Sequence, residues 1–392
     1  MNQAPYKTLP GEDKRRRLLE IALVFLKLGL VAFGGPAAHI AMMDEELIQK
    51  RKWLSREMFL DFMGATNLIP GPNSTELAIH LGFHRGGPLG LLLAGVCFIL
   101  PAFVSVLIFA LLYVRHGQVR EVEGLLYGIK PVVLAVIIQA LIRLSKSVIK
   151  DVPGAVVVAG AIGLYALGLP EIPLLLLAGV TVMIVKNWPR VRGKLFSLPL
   201  PLLPLASAAQ PALEQAGRMG APGLFWTFLK IGSFLYGSGY VLLAFLEGEF
   251  VSKLGVLGMP QILDAVAVGQ FTPGPVFTTA TFIGYLLGGM GGAAAATAGI
   301  FLPSFVLVFA LNPLIPRMRA STWLGALLDG VNAASLALMA AVSLKLGISS
   351  LLDAVTIVLF LTALAALLKF KINSFWLILA GGLIGFLVKA VF

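Results

Sequence analysis

The sequence predicts an all-α polytopic membrane protein of two homologous halves, arranged as inverted repeats, with about 10–12 transmembrane helices, two of them broken at Pro-Gly-Pro. Three observations carry this. Of the 392 residues, 58% are hydrophobic and only 12% charged, against about 45–50% and about 25% in an ordinary soluble domain. Apolar stretches close to the roughly 20 residues that span a hydrocarbon core recur along the whole chain. The same motifs also occur twice, in the same order. With a mean hydropathy of +0.93, the chain cannot hide its apolar surface in a globule. A soluble enzyme, a nucleic-acid reader and a disordered scaffold are therefore excluded. The formal charge of +11 then marks cytoplasmic loops and not a nucleic-acid partner. The lipid bilayer is the partner the composition demands.

Residues 1–17 form a polar segment that Lys14, Arg15, Arg16 and Arg17 place in the cytoplasm. The apolar stretch that follows runs past Met42. That is too long for the about 7–15-residue core of a signal peptide, so it reads as the first membrane helix. A first repeat over 18–186 contains apolar units at 18–43, 86–114, 124–144, 152–168 and 171–186. A second repeat over 223–392 contains units at 224–246, 288–312, 323–346, 351–368 and 373–392. Residues 187–222 are rich in proline and basic side chains and read as a linker. Two further stretches, 57–84 and 260–287, are each interrupted by Pro-Gly-Pro and either cross the membrane or turn back.

The repeat is visible residue by residue. Phe25 to Gly29 matches Phe228 to Gly232, and at the same offset Glu46 falls on Glu249, Asp61 on Asp264, and Pro70-Gly71-Pro72 on Pro273-Gly274-Pro275. Gly128-Ile129-Lys130 falls on Gly330-Val331-Asn332. Basic residues follow the fourth unit of the first half (Arg143, Lys146, Lys150), whereas the second half has only Lys345 there and carries basic pairs at Arg317/Arg319 and Lys369/Lys371. Basic loops mark the cytoplasm, so the shift implies opposite orientations. The basic linker also reads as cytoplasmic, and both halves cannot be routed through it in that way.

Three features could carry chemistry. A Pro-Gly-Pro inside an apolar segment strands backbone polar groups, which survive in a membrane only against protein or a water-filled cavity. Helices restarting at Asn73-Ser74-Thr75 and near Thr278 would aim free N–H groups and partial positive charge into the breaks, a setting for an anion. A second break lies in the first unit of each half, at Gly34-Gly35-Pro36 and Gly237-Ser238-Gly239, where small residues could equally serve close packing. The third feature is intramembrane charge. Lys27 and Lys230 occupy equivalent positions, Lys27 about nine residues, roughly 14 Å, into its unit. Deep lysines fit neutralisation of an anion, with Lys130 in reserve. Glu46/Glu249 and Asp61/Asp264 could be proton carriers, gate salt bridges or solvated interfacial residues.

Other chemistries lack their residues. There is no nucleotide-binding GxxxxGK[ST] and no TVGYG-like filter. Cys97 is the single cysteine, and the four histidines show no HExxH spacing, so no enzyme, metal or other cofactor is expected.

The segments Lys27-Leu28-Gly29, Phe33 to Ile40 and Pro70-Gly71-Pro72 resemble the amino-terminal domain of the chromate ion transporter family. Gly239 to Leu242, Gly269 to Val276, Thr279 to Tyr285 and Gly299 to Phe305 are similar to its carboxy-terminal domain. The resemblance covers nearly all of the chain outside 1–17 and the linker, and looks like the long, two-domain form. It implies a multi-pass protein of the bacterial inner membrane that exports chromate and confers resistance, with sulfate as competitor. A second copy of the chain is a candidate partner. Asn73-Ser74-Thr75-Glu76 departs from the family pattern, which has a glutamine in this stretch.

Together these readings place a dianion near the midplane between the two Pro-Gly-Pro breaks. The expected donors are the helix starts after Pro72 and Pro275, the amides of Asn67, Asn73, Gln270 and Asn332, and the hydroxyls of Ser74, Thr75, Thr272 and Thr278. Lys27, Lys230 and Lys130 supply charge. The alternatives are sulfate or molybdate uptake, or an anion channel.

Overall fold

The computed structural model describes residues 6–33, 35–116, 120–149, 152–188, 220–236, 239–314, 318, 321–370 and 372–391. Among them are fourteen helices and no strand. The first half contains α1 (Gly11–Val31), α2 (Pro36–Met43, prolonged by a π-helical turn Asp44–Lys50), α3 (Arg56–Thr66), α4 (Asn73–His116), α5 (Arg120–Val148), α6 (Val152–Ala166) and α7 (Glu171–Lys186). The second contains α8 (Ala221–Phe234), α9 (Leu242–Leu246, prolonged by Glu247–Lys253), α10 (Met259–Phe271), α11 (Thr279–Leu311), α12 (Thr322–Ser350), α13 (Ala354–Ala365, prolonged by Ala366–Phe370) and α14 (Ser374–Val391).

Among the described residues, four stretches are long and apolar enough to cross a membrane: α4, 122–148 in α5, 276–311 through α11, and α12. Along α4, Leu89, Leu92, Val96, Leu100, Val104 and Ile108 form an exposed stripe at helical spacing. Such a stripe is stable in lipid and not in water.

The first unit, read as one membrane helix over 18–43, is a hairpin. α1 runs inward until Gly29 meets Phe98 and Pro101 of α4. The chain then turns, and α2 climbs back until Arg51 and Trp53 reach Glu20 of α1. The stretch 57–84 also turns back. α3 descends to the Pro70-Gly71-Pro72 break, and α4 returns from it to Gly86-Gly87, where non-helical dihedrals reverse the chain. Gly82 then packs on Gly90 and Ala94 within the reversal. The second half repeats this with a reversal at Gly289, and Gly284 against Gly292. Each half thus sends two folded-back hairpins inward from one face.

The halves enter from opposite faces. Gly95 of α4 packs on Phe305 of α11, and Phe83, level with the start of the crossing part of α4, meets Phe309 near the end of α11. The two equivalent helices therefore run antiparallel, and the two-fold relating the halves lies across them, in the membrane plane: the repeats are inverted. The contacts are reciprocal, as a two-fold requires. Gly71 N–H donates to Leu235 O and Gly274 N–H to Ala32 O, both at 2.8 Å. Gly128 approaches Gly381, and Gly330 approaches Gly179. α5 packs on α14, and α12 on α7, so each half completes the other's bundle.

Inversion accounts for the routing conflict in the sequence. Lys186 ends α7 against Asp329 near the start of α12, on the face that carries the amino terminus. Leu224 of α8 packs on Gly292, beside the second reversal and on the opposite face. Most of the expected linker, 189–219, lies outside the described residues.

Buried charge ties the halves as well. Asp264 of α10 receives the Lys130 ammonium at 3.1 Å and the Tyr113 hydroxyl at 3.0 Å. Asp264→Ala strands Lys130 among apolar helices and is expected to lower stability by about 3 kcal/mol. The double change with Lys130→Met should recover part of the loss, read as thermal unfolding of the purified protein in detergent.

Candidate functional site

The inward ends of the hairpins border a cavity of about 1280 Å³. Three helix starts converge on it. α2 opens with Gly35 at φ 79° and Pro36 at its first position, α4 opens with Asn73 and Ser74 behind Pro72, and the helical turn before α11 opens at Val276 behind Pro275. Proline at these points ends the preceding segment and presets the next helix. First-turn N–H groups have no intrahelical partner, so each start presents donors and about half a positive charge.

The lining continues on α5 and α12. Gln139, Arg143 and Lys146 share one face of α5 and line the cavity, together with Asn332 of α12 and Tyr240. Among the described residues, Arg143 has no carboxylate partner. Lys186 and Asp329, 2.7 Å apart, stand at the wall near the amino-terminal face. Three basic side chains against one acid give a positive cavity far larger than a small oxyanion, and so able to hold it with water.

The structure sorts the expected residues. Pro36, Asn67, Pro72, Asn73, Ser74, Gly239, Pro275 and Asn332 line the cavity, and Gly35 caps the helix above it. Asn73 donates to Asn67 Oδ1 at 2.8 Å, and Ser74 Oγ lies 3.2 Å from Nδ1 of His39. Thr75 and Gln270 are buried, Thr75 Oγ1 and Gln270 Nε2 making no hydrogen bond among the described residues. The Thr272 hydroxyl donates to Val268 O and that of Thr278 to Pro275 O, so both protons serve their own turns. Pro70 and Gly71 of the first half, with Pro273 and Gly274 of the second, form the junction between the halves, where the Gly71 and Gly274 amides are already bonded. Gly34, Gly237 and Ser238 lie outside the described residues.

The three lysines stand away from this cavity lining. Lys27 pairs with Glu46 at 3.2 Å and Lys230 with Glu249 at 2.5 Å, each bridging the two limbs of its hairpin. Glu46 also holds Arg51, and Glu249 holds Lys253. Lys130 is taken by Asp264. Since each glutamate keeps its second cation, Lys27→Gln and Lys230→Gln are each expected to cost about 1 kcal/mol or less in stability. A test is the thermal midpoint of each variant, with Glu46→Gln as the more damaging comparison.

In the sequence, Arg143 served only as an orientation marker. The signal that could have found it is the spacing of Gln139, Arg143 and Lys146, which puts them on one face of the largely apolar run that starts at Pro131. Glu76, His80 and His84 were missed in the same way, although their spacing also puts them on one helical face.

A cavity of this electrostatic character, at the meeting of inverted hairpins, agrees with what the sequence is similar to. The chromate transporter family model matches residues 19–184 and 223–386, once in each half. The chain belongs to the chromate transporter family. Within it, the chain is 34% identical over 369 residues to a chromate transport protein of Cupriavidus metallidurans, covering 93% of this chain and 91% of the relative. It is 31% identical to a chromate transport protein of Pseudomonas aeruginosa, covering 93% and 91%. A probable chromate transport protein of Synechococcus elongatus is 30% identical, covering 88% and 89%. No solved structure matches the chain. This family member is a polytopic membrane protein whose two matched regions are the two inverted halves of the fold.

Proposed function

We propose that this chain exports chromate across the bacterial inner membrane and thereby confers chromate resistance. The observation that carries the reading is the cavity that three helix starts and Arg143 line together. Helix starts and a guanidinium together suit a tetrahedral dianion, because each offers donors fixed before the ligand arrives. Pro36, Pro72, Asn73, Ser74, Pro275 and Asn332 are the contacts we assign from the expected set, with the repeats taken as 18–186 and 223–392. Sulfate has the same shape and charge and is the expected competitor.

Orientation supports export. The amino-terminal face carries Arg15, Arg16, Arg17, Arg51, Lys52, Arg85, Lys146 and Lys186, and the opposite face far fewer basic residues. By the positive-inside rule the amino-terminal face is cytoplasmic. The cavity wall reaches that face at Lys146 and Lys186, so the dianion would load from the cytoplasm. Moving two negative charges out of a negative interior is favourable by about 4.6 kcal/mol per 100 mV.

The test is uptake of labelled chromate into everted membrane vesicles, with and without an inside-positive potential and with sulfate as competitor. Saturable uptake that the potential accelerates and sulfate suppresses is expected. Equal uptake by vesicles with and without the protein would reject the reading.

A further inference from the structure

One buried acid lies beside the cavity and is not used by the anion contacts. Glu76, in the first turn of α4, is fully buried. Its Oε1 accepts from Ser304 Oγ of the opposite half at 3.3 Å, and its Oε2 has no hydrogen-bond partner among the described residues. No lysine or arginine pairs with it among those residues. Its carboxyl lies against Gly71 at the junction, where an added Cβ would collide with it, and its helix turn also carries Ser74, which lines the cavity. At the equivalent position the second half has Thr279, whose hydroxyl bonds Val276 O, so the acid is a feature of one half alone.

A path leads outward from it. His80 and His84 follow one and two turns later on the same face of α4, each step rising about 6 Å. His80 is 1% exposed, and its ring nitrogens make no hydrogen bond among the described residues. Phe62 of α3 stacks on the His80 ring at 5.6 Å and tilts against His84 at 5.6 Å. His84 is exposed at the amino-terminal face.

We propose that Glu76 takes up one proton when the dianion binds, and that His80 and His84 pass this proton between Glu76 and the amino-terminal face. The proposal rests on the transport reading above. Its sign follows from electrostatics. A carboxylate without a cation, close to a bound dianion and out of water, is repelled by it, whereas the protonated acid is not. Binding of the anion and of the proton therefore favour each other. In the transfer, a proton from solvent bonds one ring nitrogen of His84. It moves to a nitrogen of His80, and then forms the O–H bond of Glu76 as the N–H bond of His80 breaks; each histidine ends neutral. The carrier then moves one net negative charge per chromate in place of two. The other groups around the path leave this sign unchanged. Tyr236 and Ser304 face Glu76 from the second half, and Asn312 lies by His80. On α3, Asp61 precedes Phe62, and His39 of α2 holds Ser74. Arg85, next to His84, is engaged by Glu20 of α1 at 2.8 Å.

The experiment uses the purified full chain in lightly buffered detergent, with a pH indicator, and adds chromate at a pH where it is fully dianionic. At pH values high enough to ionise Glu76 in the free protein, the wild type is expected to take up close to one proton per chromate bound, and its affinity to weaken by up to tenfold per further pH unit. Glu76→Gln should still bind chromate, with no proton uptake and no such pH dependence. His80→Phe should keep the amplitude of uptake and slow it at least tenfold. Binding without proton uptake in the wild type at every pH up to the alkaline limit of folding, or unchanged uptake in Glu76→Gln, overturns the proposal. Unchanged uptake rate in His80→Phe overturns the relay. Absence of chromate binding by a folded wild type rejects the transport reading instead.

Discussion

Arg143→Gln is expected to weaken chromate transport on the order of 100-fold, mostly through KM. Arg143 lines the same cavity as the helix starts and has no carboxylate partner among the described residues. Its charge is therefore free for a ligand, unlike those of Lys27, Lys130 and Lys230. Three helix starts supply about half a charge each, which leaves part of a dianion's charge for a side chain to balance. A charge-assisted hydrogen bond to an anion in a partly desolvated site is worth about 2–3 kcal/mol, which corresponds to the stated factor. Glutamine keeps much of the length and some hydrogen bonding but deletes the charge. Arg143→Lys should fall between the two, because an ammonium keeps the charge and loses the planar fork. Initial rates of labelled chromate uptake into everted vesicles, at matched expression, read all three. Wild-type kinetics in Arg143→Gln would remove the guanidinium from the site.

Gly71→Ala and Gly274→Ala are expected to lower stability by about 3 kcal/mol or more and to abolish transport. Both glycines sit at positive φ, 137° and 94°, where an L side chain is strained; such strain costs about 1–3 kcal/mol. Space is also missing. A Cβ on Gly71 would collide with Ser304 Oγ and Glu76 Oε1, and one on Gly274 would lie 2.8 Å from Ala102 Cβ. Both amides bond the other half, so a shift to relieve the clash pulls the halves apart. Larger residues such as leucine would not simply plug an open break; they would damage the fold. Ala102→Gly should restore part of the Gly274→Ala loss and leave the strain, so the double variant ought to melt between Gly274→Ala and wild type. No recovery would show that strain alone accounts for the loss. Thermal unfolding in detergent reads both.

Membrane residence, helical class and internal duplication were legible in the sequence, because each depends on local pattern: apolar run length, the scarcity of charge, and motifs at one offset. The helix breaks were legible for the same reason, since Pro-Gly-Pro interrupts a helix wherever it lies. Inversion was indicated by the displaced basic residues but became geometric only through the antiparallel packing of α4 and α11. Tertiary structure alone decided what the charges do. A lysine deep in an apolar unit looks available to an anion until the chain doubles back and sets Glu46 beside Lys27, or Glu249 beside Lys230. Arg143 looks like a loop marker until α5 sets its polar face in the same cavity as helix starts from both halves. Whether a charge is free or spent depends on partners far away in sequence, which composition and period do not encode. A charge in low dielectric is ruled by whatever lies within a few ångströms of it, and here folding sets those neighbours.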